Sequence, residues 1–268
     1  MIELEELKKI QIDILDNVTE FCEKNNINYW LDNGTLLGAI RHQGYIPWDD
    51  DIDIGMLRTD YDKFKELYNN SNNKYKFFSI ETDKNFNFPY GKVLDMTTEL
   101  YEPDKKNGEK LAVNIDVFVY DNAPDDLKET QKMYRKRDIL IALNIIKKAP
   151  YSKKKNRFFM NVLRMPIYYM FKLLPKGYFS EKIISHSKKY CNENTNYVGN
   201  FTSMTHIHSR KIIFNSFVKV TFEGKKYNAP IGYDEWLTDF YGDYMKLPPK
   251  EKQVSHHVFE AYKKGEII

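Results

Sequence analysis

The chain has 268 residues, with 41 Lys and Arg against 38 Asp and Glu and a formal net charge of +3. Hydrophobic residues make up 42% and aromatic residues 15%, which excludes a disordered chain and allows one large domain or two intimate ones. Two distant cysteines, Cys22 and Cys191, exclude a disulfide framework and a Cys/His zinc cluster, and no apolar run reaches the ~18 residues that a membrane span needs.

The acidic start, Met1 to Glu6, lacks the pattern of a secretory signal. Residues 3–25 are predicted to form an amphipathic helix, because Leu7, Ile14, Val18, Phe21 and Cys22 fall at helical spacing; Cys22 is therefore expected in the core. Tyr29 to Gly38 reads as a short strand near 28–32, a turn at Gly34-Thr35 and a helix opening. Such a helix start offers free backbone N–H groups and a positive dipole end to an anion such as phosphate. Then comes Trp48-Asp49-Asp50-Asp51-Ile52-Asp53-Ile54, with four carboxylates in five positions. A strand over 51–56 would point Asp51 and Asp53 to one face, a seat for a hard divalent cation. The bland alternative is a solvated acidic turn. An EF-hand calcium loop is excluded, because Ile54 stands where Gly is needed and Asp60 where the closing Glu belongs.

A helix is predicted over 59–68, with Thr59 and Asp62 placed like a capping box, and strands near 75–80, 91–101 and 112–119. The last of these, within Leu111 to Tyr120, is apolar around one central acid, Asp116. Burying that acid is costly unless it is paired or holds a metal; the alternative is an Asp at a strand end beside a Lys. Helices are expected over 125–148, 156–174 and 179–192. From Asn144 to Tyr190 there are twelve Lys and Arg and one acid, Glu181, a local charge of +11 that leaves about −8 for the remainder. Within it, Lys153-Lys154-Lys155-Asn156-Arg157 leads into an aromatic-rich apolar stretch, the composition of a helix on an anionic membrane surface. A core helix with a solvated basic face would have the same composition. A β-hairpin is expected over 211–228 with its turn at Glu223-Gly224-Lys225, and short helical pieces finish the chain. The absence of a Gly-rich loop ending in Gly-Lys-Ser/Thr argues against a P-loop NTPase.

Gly-Thr, then Asp-x-Asp, then a later strand Asp is the layout of a nucleotidyltransferase-fold active site. The run from Gly34-Thr35-Leu36-Leu37-Gly38 through Arg41-His42 and Pro47-Trp48 to Asp53-Ile54 resembles the signature of the LicD family. That family includes bacterial phosphocholine transferases and is related to fukutin and fukutin-related protein. Ala229-Pro230, Tyr233 to Leu237, Tyr241-Gly242-Asp243-Tyr244-Met245 and Leu247-Pro248-Pro249 resemble its closing motif. The likeness covers roughly residues 25–120 and 220–258.

The resemblance implies an α+β (α/β-like) fold: a mixed sheet of the nucleotidyltransferase type over 1–122, a helical basic insert over 123–210, and a hairpin with the closing motif over 211–268. It implies transfer of a phospho-head group from a CDP-linked donor, typically CDP-choline, to a hydroxyl of a lipid-linked or polymeric surface glycan such as teichoic acid, with release of CMP. Asp51, Asp53 and Asp116 match the family's metal-binding and catalytic carboxylates, Mg²⁺ or Mn²⁺ being the implied ion, and Asp116 is the candidate base. Asp49 is a further metal-ligand candidate. Gly34, Thr35, Arg41 and Lys92 are expected at the donor's phosphates, and Asp50, Trp48, His256 and His257 at the substrates. The implied setting is cytoplasmic, at the inner face of the membrane, with no nucleic-acid partner. Two alternatives stay open: transfer of ribitol or glycerol phosphate, and a metal-dependent glycosyltransferase that holds a nucleotide-sugar through Asp-x-Asp.

Overall fold

The computed structural model describes residues 1–70, 74–101, 111–148, 158–254 and 260–265. Lys153 to Arg157 and the His256-His257 pair fall outside the described residues. In chain order the helices are α1 (Leu4–Lys24), α2 (Asn33–His42), α3 (Arg58–Leu67), α4 (Leu127–Lys148), α5 (Phe158–Phe171), α6 (Tyr178–Ser187) and α7 (Tyr233–Tyr241). The strands are β1 (Trp30–Leu31), β2 (Asp53–Leu57), β3 (Tyr75–Phe78), β4 (Gly91–Asp95), β5 (Thr98–Tyr101), β6 (Asn114–Ala123), β7 (Tyr197–Gly199), β8 (Ser209–Arg210), β9 (Phe217–Phe222), β10 (Lys225–Pro230) and β11 (Glu260–Lys263). The fold is mixed α+β. Two compact units form: one from Met1–Phe78, Gly91–Tyr120 and Ser209–Ile268, the other from Ser79–Tyr90 and Asp121–His208.

The first unit is built on a mixed sheet of order β1-β2-β6-β4-β3. The β2–β6 pair is parallel and the other pairs are antiparallel. Helix α1 buries Leu7, Ile14, Leu15, Val18 and Cys22. These contribute roughly 1.5–3 kcal/mol for each large side chain removed from water. Trp30 anchors the core. Its ring centroid lies 4.5 Å from that of Phe214 and 5.1 Å from that of Tyr120. Trp30 pairs in register with Gly55. A Cβ on Gly55 would stand 2.5 Å from the indole, so only a residue without a side chain lets the ring lie flat on β2.

In the second unit, Asp121–Ala123 pair antiparallel with β7. Ala123, Met133, Tyr134 and Phe201 form a small apolar core there. Arg137 is fully buried. Its Nη1 donates to the carbonyls of Asn200 (3.3 Å), Thr205 (2.9 Å) and Ser203, and its Nε donates to Asp138 at 2.8 Å.

Several local expectations change. Asp51 precedes the strand, because β2 begins at Asp53. Helix α2 begins at Asn33, so Gly34-Thr35 lies inside its first turn and not in a turn before it. The capping box at Thr59 does not form: β2 runs to Leu57 and α3 starts at once, which puts Thr59 within the first turn. Asp62 instead pairs with Arg58 at 3.6 Å and Lys65 at 2.8 Å. The strand expected over 91–101 breaks into β4 and β5, because Asp95 Oδ1 accepts the backbone N–H (2.9 Å) and hydroxyl (2.6 Å) of Thr97 and closes a turn. Lys211–Phe214 is a 3₁₀ turn that buries Ile213 and Phe214, so the hairpin starts only at Phe217. Its turn at Glu223-Gly224 lies where expected. Strand β11, which pairs with β5, is too short and too polar to announce itself by alternation.

Replacing Gly55 by Ala should lower the melting temperature by several degrees, because overpacking a rigid ring costs about 1–3 kcal/mol. A thermal melt followed by circular dichroism checks this; an unchanged midpoint would show that the indole moves aside freely.

Candidate active site

Three neighbouring strands put Asp53, Asp116 and Lys92 in one row. Asp53 is in register with Asp116 across β2–β6, and Asp116 with Lys92 across β6–β4. Register partners project to the same face of a sheet. Lys92 pairs with Asp116, and its Nζ also donates to Asn114 Oδ1 at 3.0 Å. All of these groups lie in the first unit.

The acidic run sits beside this row. Asp49, Asp50 and Asp51 form a cluster in which one carboxylate oxygen from each lies within 4.8 Å of the others. Asp53 is buried at the foot of the run. Burial, then the charges of Asp51, Asp116, Asp32 and Asp49, hold its carboxyl well above the ordinary range for Asp. Such crowding of hard oxygen donors and negative charge fits a divalent cation of the Mg²⁺ or Mn²⁺ class. The cluster includes Asp50, expected among the substrate contacts.

Neighbouring elements hold the run in place. Gln11, on the buried face of α1, donates to the Asp50 carbonyl at 3.0 Å, and its Oε1 accepts the Tyr45 hydroxyl at 2.9 Å. The hairpin turn contributes Glu223, whose carboxylate accepts the Tyr45 N–H at 3.0 Å and whose own N–H donates to the Gln43 carbonyl at 3.0 Å. Asp49 rests on the first turn of α2, where a Cβ at Gly34 would stand 2.7 Å from its Oδ2. The positive end of the helix dipole favours a carboxylate there. Thr35 is buried, and its hydroxyl accepts the Asp53 N–H at 2.8 Å.

The expected phosphate groups divide. Lys92 and Thr35 lie in the row and its support. Arg41 stands in the last turn of α2 and donates to the carbonyls of Tyr244 (2.8 Å) and Lys246 (3.5 Å), tying the closing motif to this helix. Its Nε donates to His42 Nε2 at 2.9 Å, so that nitrogen carries no proton. Burial and the Arg41 charge push the His42 pKa down, in keeping with a neutral ring. Trp48 is half-buried and meets the His42 ring edge-on at 6.4 Å.

Three residues were not singled out in the sequence. Gln11 shows no signal beyond being a polar residue on an apolar helical face. Tyr241 ends α7 within the closing motif. It is partly exposed, but protein crowds its hydroxyl, and burial followed by the fields of Asp53, Asp32, Asp49 and Asp51 holds that phenol above its usual range. Asp32 is fully buried and accepts the Tyr120 hydroxyl on both oxygens, at 2.9 and 3.1 Å. Its N–H donates to the Asp53 carbonyl at 2.9 Å. An acid between Trp30-Leu31 and the start of α2 was the available clue.

The LicD/FKTN/FKRP nucleotidyltransferase domain family matches residues 26–162. The chain is 32% identical to the lipopolysaccharide cholinephosphotransferase LicD of Haemophilus influenzae, over 97% of each protein. It is 35% identical over 121 residues to an uncharacterized protein of Rickettsia typhi, covering 45% of this chain and 36% of that one. It is 44% identical over 50 residues to the human and mouse ribitol 5-phosphate transferase FKRP, covering 19% of this chain and 10% of each relative.

Burial pushes the Asp32 carboxyl up to about 7, against the hydrogen bonds from Tyr120, Asn33 and Trp30. An unfolded Asp titrates near ~3.9, so the folded chain holds the extra proton between those values. Asp32 therefore favours the fold most below pH ~4, and that contribution falls away as pH rises to about 7. With a chelator present, Asp32→Asn should flatten the fall in melting temperature between about pH 4 and about pH 7. A slope identical to that of the parent would remove Asp32 as its source.

Proposed function

Because this chain belongs to the LicD family, we propose that it transfers phosphocholine from CDP-choline to a hydroxyl of a surface glycan such as teichoic acid, releasing CMP. The observation that carries this reading is the row Asp53–Asp116–Lys92, set beside the Asp49–Asp51 cluster at the start of α2. The row also fits the nucleotidyltransferase layout that the family's name implies.

In the proposed reaction the acceptor hydroxyl oxygen attacks the phosphorus that bears choline. A new phosphodiester forms, the pyrophosphate bond breaks, and CMP leaves with the electron pair. Asp116 accepts the hydroxyl proton. Lys92, paired with it, sets the position of its carboxylate. Lys92 then stands beside the reacting phosphates and can neutralise charge that builds on them. Asp49, Asp51, Asp53 and Asp116 would hold Mg²⁺ or Mn²⁺, with Asp50 close at hand. When bound, that ion offsets the negative charge of the pyrophosphate and of the leaving CMP. Gly34 leaves room at the first turn of α2 for the Asp49 carboxylate, so that turn sets a metal-ligand candidate beside the donor's phosphates. Arg41, at the other end of α2, is held by the closing motif. Residues 123–210 serve as an insert for acceptor binding, and the acceptor, lipid-linked or polymeric, is met at the cytoplasmic face of the membrane.

A second reading keeps the mechanism and changes the head group to ribitol or glycerol phosphate. The match to FKRP, named as a ribitol 5-phosphate transferase, favours it.

Calorimetric titration with CDP-choline, CDP-ribitol, CDP-glycerol and UDP-glucose, each with and without Mg²⁺, separates the readings. Mg²⁺-dependent binding confined to CDP-choline is the expected result. Preference for a CDP-alditol would select the second reading, and preference for UDP-glucose would overturn both. Asp53→Asn should cut transfer by about a thousandfold or more while the melting temperature holds or rises, because a buried like charge is removed. Transfer at the parent rate would exclude Asp53 from the site.

A further inference from the structure

Helix α5 turns its apolar side outward. Val162, Met165, Tyr169, Met170 and Leu173 are all exposed, and Leu173 is 87% accessible. Pro166 is exposed as well. The spacing is i, i+3, i+4, i+7, i+8 and i+11, which is one continuous stripe along a helix. Ile167, Tyr168 and Phe171 form the partly covered side, and Phe171 meets Phe179 of α6 at 4.9 Å. A water-facing stripe would ordinarily carry the polar residues. Here it carries large apolar ones, and a run of them marks an interaction surface.

The chemistry around the stripe points to its partner. From Ile139 to Ser180 the sequence holds nine Lys and Arg and no Asp or Glu. Lys172 and Lys176 are exposed just past the helix, and Lys172 sits 5.1 and 5.8 Å over the rings of Tyr168 and Tyr169. Apolar side chains flanked by lysines and tyrosines match the layers of a lipid surface: acyl chains inward, anionic headgroups around them. The helix has 14 residues, about 21 Å, which is too short to cross the ~30 Å core. No described helix is long and apolar enough to cross a membrane. Pro166 inside α5 removes a backbone donor, which is tolerable where water still reaches the helix.

We propose that the stripe from Val162 on α5 to Leu173 just past its end is a membrane-docking face that lies flat in the headgroup region of an anionic bilayer. Docking there is independent of which head group is transferred, and it fails or stands separately from the transfer chemistry. It would keep the enzyme on the surface where a lipid-linked acceptor resides.

Co-sedimentation of the full chain with vesicles tests this. Vesicles of phosphatidylcholine mixed with phosphatidylglycerol should bind it, those of phosphatidylcholine alone far less, and raised salt should weaken the binding. The double substitution Met165→Asp with Tyr169→Asp should lower the partition coefficient about tenfold or more. Lys172→Glu with Lys176→Glu should lower it by a similar factor at low salt. Circular dichroism checks that each variant folds, and Leu173→Ser gives a milder change should the double variant fail. Binding that survives both double substitutions, or no binding to the anionic vesicles, overturns the proposal. So does a dimer in sedimentation velocity that Met165→Asp with Tyr169→Asp dissolves, since the stripe would then cover a second copy.

Discussion

Crowding of carboxylates in a poorly hydrated place is the constraint around which the first unit is arranged. Asp53 lies in register with Asp116 and feels the charges of Asp51, Asp32 and Asp49. Each of these groups would favour water and distance from the others. What holds them is a set of specific contacts. Lys92 answers Asp116 from the adjacent strand, Thr35 takes the Asp53 N–H, and Gln11 grips the Asp50 carbonyl. Asp49 is drawn over the positive end of α2, where Gly34 leaves space for it. The elements that supply these contacts are α1, α2, β2, β4 and β6, so the unit's architecture serves this one electrostatic problem.

The unfavourable repulsion is a store of binding energy. A cluster of like charges gains by taking up positive charge, which is consistent with the divalent ion proposed for it. The supporting contacts come from distant parts of the chain, including the Glu223 turn and the Arg41 links to Tyr244 and Lys246. The closing motif thus belongs to the site through backbone carbonyls, and its Tyr241 lies in the field of the same carboxylates. At Asp53 and Asp32, burial disfavours the charged form of the carboxyl.

The second unit follows a different logic. Arg137 is buried under backbone carbonyls and organises Asn200 to Thr205, while α5 leaves an apolar stripe in water. A charge is hidden and apolar surface is displayed, the reverse of the usual division. The proposed docking at a lipid surface would give the second half of that inversion a physical reason.

The strongest signals in the sequence were periodic or locally dense. The α1 spacing, the hairpin turn at Glu223-Gly224, the apolar run around Asp116 and the four carboxylates of Asp49 to Asp53 each state their meaning within a few residues. These, with the motif from Gly34 to Ile54, determined the α+β class, the family and the chemical character of the site. The tertiary structure alone decided which groups meet. That Asp53, Asp116 and Lys92 share a row depends on strand register between segments some 24 to 63 positions apart, and register is set by packing across the whole sheet. The roles of Gln11 and Asp32, the anchoring of Arg41 by the closing motif, and the outward turn of the α5 stripe follow for the same reason. Burial and proximity belong to the folded chain, and local composition does not encode them.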